Sequence, residues 1–204
     1  MTHQKISLNR RSFLKSSALA GGGLMISFSA LAKLGLDDKV NELNLTDQWY
    51  ELTGYIKITP DNVIKIFNPN PEFGQNVMTS LPMIVTEELD ADWKQVVVEM
   101  GPHDNVKLGP QFAGGSNSMR MYWKPLREAG AAARNMLMQA AAQAWSVPVE
   151  EVTTKAGMLY HEKSGKSGTY GSFASKASEI TIPKGVKLKD VKSFNVVRSS
   201  KKNV

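Results

Sequence analysis

The sequence predicts an α+β domain in which helices pack on a small mixed sheet. Two β-rich runs flank Pro60-Asp61-Asn62, which indicates a β-hairpin. Residues 75–89 have apolar side chains near helical spacing, and residues 93–100 then alternate as a strand does. Residues 125–145 are rich in alanine and have the clearest helical period in the chain. The predicted order is therefore strand, strand, helix, strand and helix.

The first 32 residues have the features of a removable export signal. Four basic residues and no acidic one precede an apolar stretch, and Ala30-Leu31-Ala32 offers the small-residue pattern that signal peptidase cuts. Adjacent Arg10 and Arg11, followed by a glycine-softened apolar stretch, favour a twin-arginine signal and a periplasmic location. A general secretory signal or a basic amphipathic anchor is the alternative. Proteins on the twin-arginine route are exported folded, commonly because they carry a cofactor inserted in the cytoplasm.

Charge and composition exclude several classes of function. The 204-residue chain has a net charge of +6, but residues 33–183 hold 14 basic against 18 acidic residues. This acidic body argues against nucleic-acid binding. The chain has no cysteine, which excludes disulfides and cysteine-held zinc or iron–sulfur clusters on it. His103 and His161 lie far apart without ligand spacing, so we predict surface or loop positions and no metal site.

The first half of the mature chain divides into a linker, a hairpin, a helix and a strand. Residues 33–53 are polar with scattered leucines and predict a linker. The hairpin runs from Gly54 to Asn68 and ends at prolines. Pro82 falls inside the first predicted helix, so either the helix is kinked or it starts later. Glu87 and Glu88 are predicted to lie on its solvated face.

The second half begins with a glycine-rich loop, 101–118, that is long for a connection inside a compact domain. The alanine-rich helix is predicted to start at Pro125, which suits a first-turn position. Small residues on one face of it allow a neighbouring backbone to approach closely. Short strands are predicted at 152–154 and 158–160, a short helix at 170–178 and a basic extended tail at 184–204. The domain itself is predicted to span 54–183.

Two loop-to-helix junctions are the candidate functional residues. The first is Glu72-Phe73-Gly74-Gln75, and the second is Gly114-Gly115-Ser116-Asn117-Ser118. Both place backbone N–H groups at a helix start, where free donors and the helix dipole favour anions. The plainer interpretation of the same residues is a turn and a helix cap.

Two longer stretches carry a resemblance to a known family. "NPNPEFGQNVMTSLPMIVTEELDADW" and "GGSNSMRMYWKPLREAGAAARNMLMQAAAQAW", behind the paired arginines, resemble the large, molybdopterin-binding subunit of isoquinoline 1-oxidoreductase. That protein is a member of the xanthine dehydrogenase and aldehyde oxidase superfamily of molybdenum hydroxylases. The resemblance extends to about Phe194. It implies that the predicted α+β unit is part of a larger molybdopterin-binding domain.

The resemblance also implies a cofactor and the residues that hold it. The cofactor would be molybdenum–molybdopterin, with the cytosine dinucleotide as one of its forms. The amide of Gln75 would approach the metal end, where Gly74 leaves room for the cofactor. Arg120 would either offset phosphate charge or form a helix-surface salt bridge. Asn76 stands where the family usually has glycine. The residues implied to hydrogen-bond the pterin and its phosphate-bearing tail are Gly114, Gly115, Ser116 and Ser118.

Enzymes of this family hydroxylate an aromatic N-heterocycle or oxidise an aldehyde, with water as oxygen donor. They pass electrons to iron–sulfur clusters on a small partner subunit. Family large subunits are several times longer, and their catalytic glutamate lies beyond the segment matched here. The resemblance therefore implies an N-terminal part of such a large subunit, from a split gene, a frameshift or a truncation, without a catalytic residue of its own. It would depend on the remaining large-subunit segments, the iron–sulfur subunit and the twin-arginine translocase.

A second hypothesis concerns another class of protein. The chain would then be a small exported binding or structural protein, or a decayed relative, that binds no cofactor. The two junction motifs favour the first hypothesis, whereas Asn76 and the short length favour the second.

Overall fold

The computed structural model describes residues 48–203. The predicted twin-arginine signal and residues 33–47 of the predicted linker lie outside the described residues. The first sheet has four strands that follow one another in chain order. They are β1 (Tyr50–Thr53), β2 (Ile56–Ile58), β3 (Ile64–Asn68) and β4 (Val96–Met100).

The pairing of these strands confirms the predicted hairpin and the predicted third strand. β2 pairs antiparallel with both β1 and β3, whereas β3 and β4 are parallel, with Ile64 opposite Val96. Parallel neighbours need a crossover connection, which helix α1 (Val77–Leu89) supplies here. The sheet is therefore mixed, and the predicted α+β class is confirmed.

The linker prediction is wrong at its end, because residues 50–53 form β1. This strand is short, but Leu52 and Thr53 are buried and join the core. A four-residue strand offers too few alternations for its sequence pattern to distinguish it from an irregular lead-in.

A second, antiparallel sheet follows in the chain with strands β5 (Thr153–Lys155), β6 (Met158–His161) and β7 (Lys166–Thr169). The strands near 153 and 158 were predicted, whereas β7 was not. Helix α2 (Ser118–Trp145) precedes this sheet, and helix α3 (Tyr170–Ser178) follows it. None of the helices within 48–203 is both long enough and apolar enough to cross a membrane.

Proline misleads the prediction of one of the two long helices. α2 starts seven residues before Pro125, so Pro125 is interior and the predicted start is wrong. α1 spans nearly the predicted residues and starts at Val77, two residues after the predicted Gln75. Pro82 is interior to α1, so the alternative that it lies in the first turn is wrong.

The predicted close approach of a neighbour to the small-residue face of α2 is confirmed. A Cβ atom added to Gly130 would lie 2.6 Å from the carbonyl oxygen of Val85 and 2.9 Å from the Cβ of Glu88. α1 and α2 thus touch backbone to backbone at this point. The sheet side of the core is formed by Ile56, Ile58, Ile64 and Ile66, all fully buried.

The C-terminal segment corrects two predictions together. Glu87 and Glu88 are only 2 % and 0 % exposed, so the predicted solvated face of α1 is wrong. Glu87 Oε2 accepts the N–H groups of residues 195, 196 and 197 at 3.0, 2.6 and 3.0 Å. Residues of the predicted basic tail therefore lie against α1 and do not extend freely into solvent.

Glu88 binds the same C-terminal segment and α2. Its Oε1 lies 2.7 Å from Nε of Arg127, and its Oε2 accepts the N–H of Lys189 at 3.0 Å. Arg127 in turn lies over the rings of Trp123 and Phe194. The two carboxylates are buried because a segment about 100 residues away in sequence supplies their donors.

Candidate functional site

The two predicted junctions lie side by side, because the strands before them are parallel neighbours. Asn68, the last residue of β3, is opposite Met100, the last residue of β4, and the loops after both strands leave the same edge of the sheet. Each loop then enters a helix, α1 or α2. This edge, at the carboxyl ends of neighbouring parallel strands, is where open α/β sheets usually bind ligands.

A buried asparagine joins the two junctions directly. Asn70 lies two residues before the first junction and is fully buried. Its Nδ2 donates to Oγ of Ser118 at 2.6 Å and to the carbonyl oxygen of Phe112 at 3.3 Å. The motifs are thus brought together by a residue that the sequence analysis did not single out. In the sequence, Asn70 could have been noticed because it stands between two prolines just after a predicted strand.

The first junction is organised by the carboxylate of Glu72. Its oxygens accept the N–H groups of Gly74 at 2.7 Å and of Asn76 and Met78 at 3.0 Å. The hydrogen bond from the N–H of Met78 is the largest cause that lowers the pKa of Glu72 below its ordinary value. Desolvation opposes it, and the N–H groups of Gly74 and Asn76 lower the pKa further, so the net shift is downward. Donors of the loop and of the first turn of α1 are therefore occupied by the protein's own anion.

Gln75 is exposed, and its amide braces the same loop. Oε1 accepts the N–H of Phe73 and Nε2 donates to the carbonyl oxygen of Pro71, both at 2.8 Å. One Nε2 proton and one Oε1 lone pair remain for another partner. Gly74 has a φ of 109°, and no atom lies within 4 Å of where its Cβ would be, so the loop surface is open there.

The second junction contains two residues in left-handed conformations. Gly115 and Ser116 have φ values of 59° and 53°. A Cβ on Gly114 would lie 2.5 Å from the ring of Phe112, so this glycine lets the ring lie against the loop. The helix-surface salt bridge predicted as one alternative for Arg120 is not observed among residues 48–203, where its guanidinium donates to Oδ1 of Asn117. Its other predicted role, beside a phosphate, stays a prediction.

Within the described part of the chain, no carboxylate caps the start of α2, in contrast to the start of α1. The first N–H groups of a helix have no acceptor within it, and the Asn117 side chain does not cap them. Ser118 Oγ accepts from Asn70, which leaves the hydroxyl proton of Ser118 to donate elsewhere. Donors for an anion are therefore concentrated at the second junction.

Two buried oxygens beside the junctions have no hydrogen-bond partner among residues 48–203. They are Oδ1 of Asn68 and Oδ1 of Asn70. The Nδ2 of Asn68 donates to the main-chain carbonyl oxygen of Asn70, which ties the two residues into one unit. An unsatisfied buried acceptor costs about 1–3 kcal/mol, so this polar pair is not explained by stability alone.

Large apolar side chains surround the junctions and are exposed. Phe73 is 72 % exposed, Phe112 61 % and Met119 41 %. Aromatic rings that stay in solvent beside polar donors are typical of a surface that meets another molecule. The sequence analysis missed this rim of Phe73, Phe112 and Met119, although Phe73 and Phe112 stand conspicuously within glycine-containing loops.

The histidines of the mature chain, His103 and His161, were predicted to lie at surface or loop positions and not to form a metal site. No cluster of three or more potential ligands was found among residues 48–203. His103 is exposed as predicted, but His161 is buried at the end of β6, so its predicted surface position is wrong. Its ring nitrogens bond Oγ of Ser164 at 2.7 Å and the carboxylate of Glu151 at 2.9 Å.

Comparison with known proteins gives a family for this arrangement. A family model described as molybdopterin cofactor-binding domain matches residues 21–203. The chain is 39 % identical over 135 residues to the beta subunit of isoquinoline 1-oxidoreductase from Brevundimonas diminuta, a match that covers 63 % of this chain and 17 % of that protein. It is 30 % identical over 155 residues to a nicotinate dehydrogenase subunit of Pseudomonas putida, covering 74 % of this chain and 13 % of that one.

A third relative is the membrane-bound aldehyde dehydrogenase (pyrroloquinoline-quinone) of Gluconacetobacter polyoxogenes. The identity is 29 % over 173 residues, which cover 85 % of this chain and 22 % of that protein. The chain thus spans less than a quarter of the length of each of these curated relatives.

Proposed function

Because the chain belongs to the family of molybdopterin cofactor-binding domains, we propose that its two junctions hold one end of a molybdenum–molybdopterin cofactor. The observation that carries this proposal is the bond from Asn70 to Ser118, which brings both motifs to one edge of the sheet. The residues proposed to contact the cofactor are Gly74, Gln75, Gly114, Gly115, Ser116 and Ser118.

The chemistry of the two junctions fits the two kinds of group in such a cofactor. Uncapped N–H groups at the start of α2 and the free proton of Ser118 suit a phosphate or the polar edge of a pterin. The exposed amide of Gln75 and the rings of Phe73 and Phe112 suit a planar, partly polar ring system. Glu72 keeps negative charge at the first junction, which disfavours a phosphate there and supports placing the phosphate at the second junction.

Asn76 is compatible with this role despite replacing the family's usual glycine. Its φ of 62° and ψ of 26° are left-handed, a conformation that glycine and asparagine adopt most readily. The backbone shape of the junction is therefore the one that a glycine would give.

The reaction is proposed from the relatives. When bound, the cofactor would supply two-electron oxidation of a substrate carbon with water as oxygen donor, on an aromatic N-heterocycle or an aldehyde. The residues of this chain would bind and orient the cofactor, and no catalytic residue is assigned among them. Substrate oxidation would need the segments that make up the rest of the longer relatives, and an iron–sulfur subunit to take the electrons. Twin-arginine export to the periplasm is part of the same proposal and concerns residues 1–32.

Metal and pterin analysis of the purified protein tests the proposal. The full chain is produced with its neighbouring gene products in cells that make the molybdenum cofactor. We expect molybdenum and oxidised-pterin fluorescence to co-purify with it, and Ser118→Ala and Gln75→Ala to lower the pterin content per folded protein about tenfold. Ser175→Ala, at an exposed position of α3, is the matched control. Absence of both molybdenum and pterin from the wild-type protein would favour the alternative, a cofactor-free binding or structural protein.

A further inference from the structure

Asn70 uses both protons of its side-chain amide to connect segments that are distant in sequence. Its two Nδ2 protons go to Ser118 Oγ and the carbonyl of Phe112, which are 48 and 42 residues away. Its main-chain carbonyl oxygen accepts from Asn68, at the end of β3. Asn70 is therefore held in place by Asn68 at the end of β3, and it in turn holds the second junction through its side-chain amide.

The orientation of this amide follows from its partners. The carbonyl oxygen of Phe112 can only accept, so the atom of Asn70 that faces it must be the donor Nδ2. The same Nδ2 then donates to Ser118, whose oxygen acts as acceptor. Because Ser118 accepts from Asn70, its hydroxyl proton stays available to donate to another acceptor.

We propose that Asn70 is a positioning residue, which sets the second junction against the first and orients the hydroxyl of Ser118 as a donor to the bound ligand. The ligand part of this inference rests on the function proposed above, whereas the coupling between Asn70 and Ser118 does not. The unsatisfied Oδ1 atoms of Asn68 and Asn70 agree with it, because a buried pair kept only for stability would have both ends paired.

The coupling is tested by a double-mutant cycle on the full chain, with Asn70→Ala, Ser118→Ala and the double variant. If Asn70 acts through Ser118, the two losses in urea midpoint are not additive, and the double variant is little worse than Asn70→Ala. Asn62→Ala is the matched control. Asn62 is also buried and bridges distant segments, donating to the carbonyl of Gly157 and accepting from the N–H of Gly171. Its effect should add to that of Ser118→Ala.

A second measurement separates positioning from stability. In the cofactor-producing cells, Asn70→Ala should lower the pterin content per folded protein about tenfold, as Ser118→Ala does, with no further loss in the double variant. Asn70→Asp keeps the shape but offers only acceptors, so Ser118 would donate to it and the pterin content should fall equally. Asn62→Ala should leave the pterin content unchanged.

The outcomes distinguish this inference from the proposed function. Additive midpoint losses for Asn70→Ala and Ser118→Ala would overturn the coupling. Normal pterin content in Asn70→Asp would overturn the orienting role. If the wild-type protein holds no pterin, the proposed function and the orienting role fail together, and the unfolding cycle still decides the coupling.

Discussion

At the scale of single residues, backbone conformation decides what position 76 accepts. Asn76 is left-handed, where a β-branched residue pays about 1–2 kcal/mol. We expect Asn76→Val to lower the free energy of unfolding by about that amount, and Asn76→Gly to leave it nearly unchanged. Urea unfolding of the full chain measures both. Asn105→Val is the control, since Asn105 is exposed and is not left-handed, and equal losses at the two positions would contradict the argument.

Glu72 gives the first junction a dependence on pH. The N–H groups of Met78, Gly74 and Asn76 hold its pKa below the ordinary value in the folded chain. A carboxyl with a lowered folded pKa stabilises the protein above its unfolded pKa, about 4.3, and loses this contribution as the pH falls through the folded pKa. We therefore expect wild type to exceed Glu72→Gln in stability at pH 6 by more than at pH 3.

The measurement is the urea midpoint of both proteins across this range. Glu179→Gln, at an exposed position after α3, is the control for removal of a surface carboxylate, and at pH 6 it should lower the urea midpoint less than Glu72→Gln does. A difference between wild type and Glu72→Gln that stays constant from pH 6 to pH 3 would refute the capping role of Glu72.

At the scale of elements, the sequence predicted the existence of helices and strands better than their limits. Periodicity identified α1, α2 and the hairpin, because each buries one face against the same core. It also identified β4, although only Val96 of this strand is partly buried against that core. It missed β1, because a strand of four residues shows too little alternation. It misplaced the start of α2, because tertiary packing tolerates Pro125 inside the helix. From the residues, each junction motif was predicted separately, and only the family resemblance implied that both meet one cofactor. Their adjacency could not be derived from the residues themselves, since it depends on the parallel pairing of β3 with β4 and on Asn70.

The contact between α1 and α2 gives a prediction at the same scale. Gly130→Ala would gain about 1 kcal/mol of helix propensity. It would also place a methyl group 2.6 Å from the Val85 carbonyl, where backbone cannot yield cheaply. Overpacking costs about 1–3 kcal/mol or more, so we expect net destabilisation in denaturant unfolding. The control is Glu128→Ala, on an exposed position of α2, and greater stability of Gly130→Ala than of wild type would contradict the close approach.

At the scale of the whole molecule, opposite charges join parts of the chain that are far apart in sequence. The acidic residues Glu87, Glu88 and Asp90 at the end of α1 meet the basic C-terminal segment, where Lys189 lies 2.8 Å from Asp90. The excess of basic residues at 184–204 and of acidic residues in the body was visible in the sequence. What could not be read from it is that backbone N–H groups, more than lysines, satisfy Glu87.

Removal of the C-terminal segment is therefore expected to lower the stability of the rest of the domain. A chain ending at Val186 loses the N–H donors of Glu87 and the Lys189 N–H bound to Glu88, so two buried carboxylates lose partners. Breaking one buried ionic pair costs about 3–5 kcal/mol, and we expect a large fall in the urea midpoint with faster amide exchange in α1. A chain ending at Ser200 keeps all of these contacts and should match the full chain. If the two truncated chains were equally stable, the segment would be the free tail that its composition predicts, and the buried carboxylates would need another source of donors.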